Sequence, residues 1–170
     1  MWAKRNDSGF TIVELLIVIV VIAILAAITV VAYNGIQDRS RNAQVTSGAS
    51  QYNKAFESYR AVYDRYPIYA GCLGANYPSN ICWTNSGSPD RSVNANLDSQ
   101  LSEFVPAKPT LATALLDMDS TLRRSGMVYY IGGSYSELRY YLQGLNQACI
   151  GGFTQANEGL LTRCLRVLTT

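Results

Sequence analysis

The sequence of 170 residues contains no histidine, no Gly-rich phosphate-binding loop and no Gly-x-Ser-x-Gly motif. Many hydrolases, kinases and metal sites are built from these residue types and motifs. The remaining candidates for chemistry are scattered carboxylates such as Asp117 and Asp119, which are typical of a solvated face or a helix end. We therefore expect a protein that is not an enzyme and that holds no cofactor and no metal.

Charged side chains are scarce, at 15% of the residues, and no run of like charge occurs. The formal net charge is only +2, which predicts no strong polyanion partner. The candidates for a basic nucleic-acid surface are Arg123 with Arg124 and Arg163 with Arg166. We expect no nucleic-acid partner, and we keep a DNA-binding module as an alternative.

Proline and charge are both absent from one long apolar run. Leu15 to Ala32 comprises eighteen residues without a charge, and Thr29 carries its one hydroxyl. At about 1.5 Å per residue, a helix from Phe10 to Ala32 is roughly 35 Å long, against a hydrocarbon thickness of about 30 Å. This length predicts a membrane span over residues 10–32.

Glu14 is the one acid at the edge of this span. A carboxylate inside the membrane costs about 2.5 to 3.5 kcal/mol, whereas the thirteen Leu, Ile and Val residues of the run return roughly 4 to 8 kcal/mol. The span therefore inserts with Glu14 present. Two interpretations stay open on charge alone: Glu14 meets a cation supplied by a partner or by processing, or it rests at the headgroup level.

The segment Gly9-Phe10-Thr11-Ile12-Val13-Glu14, followed by the apolar run, resembles the class III signal of type IV pilins and their relatives, including type II secretion pseudopilins. The resemblance implies cleavage after Gly9 on the cytoplasmic face and methylation of the new amino terminus on Phe10. It also implies that Glu14 of one subunit pairs with the terminal amine of its neighbour during assembly. The implied partners are a prepilin peptidase and N-methyltransferase, an assembly ATPase with its membrane platform, and further copies of the chain or minor pilins.

The chain departs from the family inside the span. Many of its relatives carry a glycine and a proline where this chain has Ala23 and Val31. Without these helix breakers, the partial melting of the helix that the resemblance implies for the filament would move to Asn34-Gly35.

All four cysteines, Cys72, Cys82, Cys149 and Cys164, follow the span. An even count in a small module after a span predicts two disulfides in an oxidising compartment, and the close Cys-x-x-Cys spacing of a zinc site is absent. The positive-inside rule gives a tie, so the cysteines decide the orientation, with the amino terminus in the cytoplasm. Of the three possible pairings, we favour Cys72 with Cys82 and Cys149 with Cys164, since both close short loops.

After the span, the pattern predicts a continuous helix to about Asp64 and a termination at Pro67. Its second half carries one apolar stripe at helical spacing, which we expect to pack on the chain's own sheet. The stripe comprises Val45, Ala49, Tyr52, Phe56, Tyr59, Tyr63 and Tyr66. We predict a leader at 1–9, a membrane or filament-core helix at 10–32, its amphipathic continuation at 33–66 and a disulfide-bonded head at 67–170.

In the head, residues 69–89 are predicted to form a loop, because Gly, Asn, Ser and Pro are frequent there. We expect Trp83 in this loop to be half-buried. Short helices are predicted at Asn94 to Phe104 and at Leu111 to Leu122. Strands are predicted at Met127 to Ile131, Leu138 to Leu142 and Leu160 to Leu168. We expect a pilin-like α+β fold, in which the long helix covers an antiparallel sheet of three or four strands.

Twelve tyrosines are a high count, and they allow two interpretations. The phenol rings suit a thin, half-wet core, or they form an exposed adhesive surface, for which Tyr140 is the test residue. We favour the core.

The sequence thus predicts a filament subunit that is first anchored in the cytoplasmic membrane and then part of an extracellular fibre. The alternatives are a type II secretion pseudopilin and a minor or competence pilin that binds DNA or a surface.

Overall fold

A computed structural model describes residues 10–111, 114–133 and 135–169. The chain forms two compact units, residues 1–38 and residues 39–170. The leader predicted at residues 1–9, with its cleavage residue Gly9, lies outside the described part of the chain.

The elements follow one another in a helix-first order. Helix α1 is Ile12–Tyr63, and it is followed by β1 (Gly71–Leu73), a 3-10 turn (Pro78–Asn80), β2 (Ile81–Asn85), β3 (Ser88–Ser92), α2 (Ala95–Leu101), β4 (Leu116–Asp117), β5 (Leu122–Arg124), β6 (Met127–Ile131), β7 (Ser136–Gln143), β8 (Thr154–Glu158) and β9 (Leu161–Leu168). This is the predicted α+β class, with a long apolar helix at the amino end.

Helix α1 ends before the proline that was expected to end it. The last helical residue is Tyr63, and Asp64 has a left-handed φ of 52° while its N–H still donates to the Arg60 carbonyl at 2.8 Å. Aspartate tolerates this conformation better than most residues, so it closes the helix as a left-handed cap. The predicted helix end at about Asp64 is confirmed, and the residue that terminates the helix is Asp64 instead of the expected Pro67.

The main sheet has five antiparallel strands in the order β1-β6-β7-β9-β8, more than the three or four expected. The three predicted strands correspond to its centre, β6, β7 and β9. Strand β8 is the missed edge strand. Its sequence, Thr154-Gln155-Ala156-Asn157-Glu158, has no large apolar residue and gives no strand pattern.

One face of this sheet packs against the second half of α1. The predicted stripe is buried at Val45, Ala49, Tyr52, Phe56 and Tyr59, and its last helical member, Tyr63, is exposed. These side chains meet alternate residues of the sheet, namely Met127, Tyr129, Leu138, Tyr140, Leu142, Cys164 and Leu168. Each fully buried large side chain contributes about 1.5 to 3 kcal/mol, so this face is the main core of the head.

Polar contacts fix the helix on the sheet at two levels. The Asn42 side-chain amide donates to the Gln143 carbonyl at 3.0 Å and accepts from the Gln143 N–H at 2.8 Å, as a neighbouring strand would. About three turns further along α1, Arg166 of β9 forms hydrogen bonds with Asn53 and Glu57. These pairs set the axial position of α1 against β7 and β9.

A second antiparallel sheet, in the order β3-β2-β5-β4, contradicts two sequence predictions. Residues 69–89 are not a loop, because they contain β1, β2 and the start of β3. The glycine- and serine-rich signal comes from the hairpin turn, where Ser86 and Gly87 both have positive φ, as a two-residue primed turn requires. Trp83 lies on β2 and is 3% exposed, so the prediction that it is half-buried was wrong.

The helix predicted at Leu111 to Leu122 is also wrong where the structure describes that segment. Strands β4 and β5 pair there around a turn that Asp119 holds, since its Oδ1 accepts hydrogen bonds from the N–H groups of Thr121 and Leu122, each at 2.7 Å. These same hydrogen bonds, led by the one from Thr121, lower the pKa of Asp119. Side-chain competition of this kind favours a turn over a helix.

The short helix predicted at Asn94 to Phe104 is present as α2. Asn94 caps it through a 3.0 Å hydrogen bond from the Asn96 N–H, and Leu97 and Leu101 are buried in the main core. The amphipathic spacing of these leucines was therefore a sound helix signal.

The two disulfides each close a short loop. Cys72–Cys82 joins β1 of the main sheet to β2 of the second sheet, and Cys149–Cys164 ties the segment before β8 to β9. A closed loop of this size stabilises a fold by about 3 kcal/mol in the chain-entropy account. The first bond also borders the second core, which lies between the sheets and contains Tyr77, Trp83, Met118, Val128, Tyr141 and Leu161.

Most tyrosine side chains of the head belong to these two cores. Tyr140 is fully buried and accepts a hydrogen bond from the Ile150 N–H at 2.8 Å, so it cannot serve as the adhesive residue that the alternative interpretation tested. Burial raises the pKa of Tyr52, Tyr77, Tyr129 and Tyr140 above the ordinary value of 10.0. Burial and a hydrogen bond to Glu158 raise the pKa of Tyr141 to about 12.

These raised pKa values predict an alkaline limit to stability. The folded head keeps the phenols protonated, whereas the unfolded chain ionises them near pH 10, so stability is complete below about pH 10 and falls as the pH approaches 12. Urea unfolding of the full chain in detergent, followed at a series of alkaline pH values, measures this loss. We expect Tyr141→Phe to reduce its slope, and an identical slope in this variant would contradict the assignment.

Candidate functional site: the amino-terminal segment

The first half of α1 is apolar, and its segment Ile12–Thr29 is exposed. An eighteen-residue window, Ile12–Thr29, has a mean hydropathy of 3.1, and none of it is buried. A contiguous apolar surface of this size is not stable in water. The segment therefore requires lipid or other apolar helices as its surroundings.

The carboxylate of Glu14 is engaged at the start of this helix. Its Oε2 accepts hydrogen bonds from the Thr11 N–H and the Thr11 hydroxyl, each at 2.8 Å, and the Glu14 N–H donates to Thr11 Oγ1 at 3.2 Å. This reciprocal arrangement is a capping box, in which Thr11 is the N-cap and Glu14 the third helical residue. Two amide groups that the helix leaves unpaired are satisfied in this way.

The capping box determines what Glu14 can do next. The carboxylate sits where the helix dipole favours a negative charge, and it makes no ion pair with any residue that the structure describes. Its Oε1 takes no part in the box. A cation brought to this end of the helix can therefore bind an oriented carboxylate without breaking the cap.

Thr11 is the functional residue that the sequence analysis missed. The sequence did contain a signal for this role, because a threonine three residues before a glutamate, directly ahead of an apolar run, is the sequence pattern of a capping box. From charge alone, Glu14 was expected to be a bare acid in the span, whereas the structure gives its carboxylate two donors on Thr11.

The other predicted site residues fall into separate groups. Phe10 precedes the capping box and is exposed, whereas the four cysteines all belong to the second unit, where they form the disulfides. Within the described ranges, no group of three His, Cys, Asp or Glu side chains is placed to hold a metal ion.

The arginines considered for nucleic-acid binding are engaged in the head. Arg123 pairs with Asp117 at 2.6 Å, Arg163 pairs with Glu158, and Arg166 pairs with Glu57. The fourth, Arg124, is buried over the Trp83 ring, with its guanidinium carbon 4.7 Å from the ring centroid. Together they do not form a free basic surface, so the DNA-binding alternative loses its sequence support.

Comparison with known proteins agrees with the geometry of this segment. The family model described as the prokaryotic N-terminal methylation motif matches residues 4–30, which include the capping box and most of the apolar run. The chain is 35% identical over 69 residues to the type IV major pilin protein PilA of Myxococcus xanthus, and 33% identical over 64 residues to the type II secretion system core protein G of Aeromonas hydrophila.

Over its amino-terminal part, the chain is thus similar to a type IV pilin and to a type II secretion protein. The matches cover 41% and 38% of this chain, and 31% and 45% of the Myxococcus and Aeromonas proteins, respectively. The chain thus spans less than half the length of these two relatives. No solved structure matches it significantly.

The capping box makes a testable prediction about the start of α1. Thr11→Ala removes the N-cap, which typically costs about 0.5 to 2 kcal/mol, so the Glu14 amide should exchange its hydrogen roughly 2 to 30 times faster. Thr11→Ser keeps both hydrogen bonds and should preserve the exchange rate. The measurement is residue-resolved hydrogen exchange on the full chain in detergent, and equal exchange in Thr11→Ala and the unchanged chain would contradict the capping box.

Proposed function

We propose that this chain is the structural subunit of a type IV pilus-like filament, processed after Gly9, methylated at Phe10 and polymerised through α1. One observation carries the proposal: an exposed apolar helix begins with a capped carboxylate, Glu14, inside the segment that matches the methylation motif. The proposed division is a leader at 1–9, a core helix at 10–32, its amphipathic continuation at 33–66 and a head at 67–170.

Polymerisation follows from the surface of the helix. In the membrane, lipid covers Ile12–Thr29, and in a filament the same segment of neighbouring subunits replaces the lipid. The exchange costs little because lipid chains and leucine side chains are equally apolar, so van der Waals packing and specific polar contacts decide the arrangement.

Glu14 supplies the specific polar contact. Cleavage after Gly9 would place an ammonium group on Phe10, and the Glu14 carboxylate of a neighbouring subunit would pair with it. Desolvating two charges offsets much of their attraction, so such a pair adds little net stability, while a misplaced subunit leaves both charges unpaired at a cost of about 3 to 5 kcal/mol. The pair therefore sets the axial register of the helices.

The proposed topology places the amino terminus in the cytoplasm and the disulfide-bonded head outside. A prepilin peptidase and N-methyltransferase would process the chain, and an assembly ATPase with a membrane platform would extract it into the filament. Two disulfides in the head suit an oxidising compartment and support this orientation.

A pseudopilin role is the second candidate, because the chain is 33% identical to the Aeromonas secretion protein and 35% identical to the Myxococcus pilin. The two roles differ in where the polymer accumulates. A pilus subunit is recovered from surface fibres at native expression, whereas a pseudopilin stays with the envelope, and its loss reduces the amount of secreted protein.

The Glu14 contact gives the direct test of assembly. Glu14→Ala should leave insertion and cleavage intact, because the apolar run alone supports insertion, and it should lower the yield of sheared fibres at least tenfold. The matched control is Glu103→Ala, which removes an exposed head carboxylate and should leave the yield unchanged. Fibre yield is read by immunoblot against the membrane pool, and a normal yield from Glu14→Ala would refute the proposed contact.

A further inference from the structure

The head carries exposed apolar side chains at both ends of its main sheet. Strands β7 and β9 are antiparallel, with Ser136 opposite Leu168 at one end and Gln143 opposite Leu161 at the other. An eight-residue strand spans roughly 23 Å, so the two ends are well separated surfaces of one head.

The first end contains an apolar cavity, which we call the Tyr135 cavity. Its volume is about 590 Å³, within the range of binding pockets, and its polar rim residue Arg65 is exposed. Four exposed apolar side chains line it, namely Ile68, Ile131, Tyr135 and Val167. Exposed apolar side chains clustered around a cavity commonly mark a surface that binds a ligand or a partner protein.

The second end carries exposed leucines on two turns. Leu160 stands in the turn between β8 and β9 and is 65% exposed, and Leu145 follows β7 and is also exposed. The two turns are joined, because Asn146 and Asn157 exchange hydrogen bonds of 2.9 Å. We call this surface the Leu160 knob.

The charges at the two surfaces are opposite. The Leu160 N–H donates to the Met118 carbonyl at 3.0 Å. The next residue after Met118 is Asp119, whose side chain is exposed, so an acidic group lies close to the knob. Arg65, at the rim of the Tyr135 cavity, forms no ion pair with any residue in the described ranges. A cavity with a free cation and an apolar knob with a nearby anion are complementary in charge.

We propose that the Leu160 knob of one copy of this chain binds the Tyr135 cavity of the next copy, with Asp119 facing Arg65. Because two different surfaces meet, the contact is heterologous and leaves one free surface of each kind at every stage. Such a contact propagates into an open polymer and links the heads outside the apolar helix core. This inference rests on the proposed function, which supplies the filament that aligns the copies.

The test uses the full chain in cells that assemble it, with the photo-reactive residue p-benzoylphenylalanine at position 160. After irradiation, shearing and proteolysis, mass spectrometry should find position 160 of one copy joined to residues 65–68 or 131–136 of another. The reciprocal probe at position 135 should join residues 145 or 160. The control probe replaces Val62, which is 61% exposed on α1 and lies on neither surface, and it should give no such adducts.

Substitutions test the chemistry of the same contact. Leu160→Ser and Arg65→Glu should each lower the yield of the specific cross-linked dimer, from the probe at 135, at least fivefold. Val62→Ser and Lys54→Glu are the matched apolar and basic controls and should leave it unchanged, since both side chains are exposed on α1.

The possible results separate this contact from the proposed function. Polymer with cross-links from both probes that map only to other surfaces would overturn the knob and cavity contact and leave the filament role intact. An adduct of the probe at 135 to a molecule other than this chain would also overturn it and assign the cavity to a different ligand. Absence of any polymer of the unmodified chain would overturn both proposals.

Discussion

The rest of this molecule depends on one constraint, which is that the apolar segment Ile12–Thr29 of α1 cannot remain exposed to water. Eighteen consecutive residues of α1 have no protein neighbours, so the chain is stable only where lipid or other copies of the helix surround it. In the proposed function, the same surface serves as an anchor before assembly and as a core after assembly. The polar groups of Thr11 and Glu14 at the start of α1 therefore need hydrogen-bond partners both in lipid and among neighbouring helices.

The capping box meets this demand at the amino end. Thr11 donates two hydrogen bonds to the Glu14 carboxylate and accepts one from the Glu14 N–H, so two amide groups at the start of the helix are paired in the absence of a partner. One carboxylate oxygen stays outside the box. The residue that sets register in the proposed filament is thus held in place before its partner arrives, which reduces the ordering cost of the contact.

The carboxyl half of α1 obeys a different constraint, since it has to bury one face in the head and leave the other in solvent. Val45, Ala49, Tyr52, Phe56 and Tyr59 lie against one face of the main sheet. On the other face of that sheet, Tyr141 of β7 packs against Trp83 of the second sheet. The two disulfides connect strands and turns around these cores. A thin head with two small cores gains much from such links.

The sequence was informative where periodicity was long or turn residues were few. The stripe from Val45 to Tyr59, the spacing of Leu97 and Leu101, and the β-branched and aromatic run at Met127 all predicted the observed elements. Strands β3 and β8 gave no signal, because Ser88–Ser92 and Thr154–Glu158 are largely polar, and the partner strand, not their own pattern, specifies them. Asp119 likewise converts an apparently helical segment into a turn through hydrogen bonds that composition does not show.

The central claim is that the apolar helix polymerises after processing at Gly9. Its most direct test is the intact mass of the protein in surface fibres sheared from cells that make it, with and without reductant. We expect a chain that begins at Phe10, is one methyl group heavier than its sequence, and gains four hydrogens on reduction of its two disulfides. A sheared fraction without the protein, together with a membrane pool that still begins at Met1, would contradict the account.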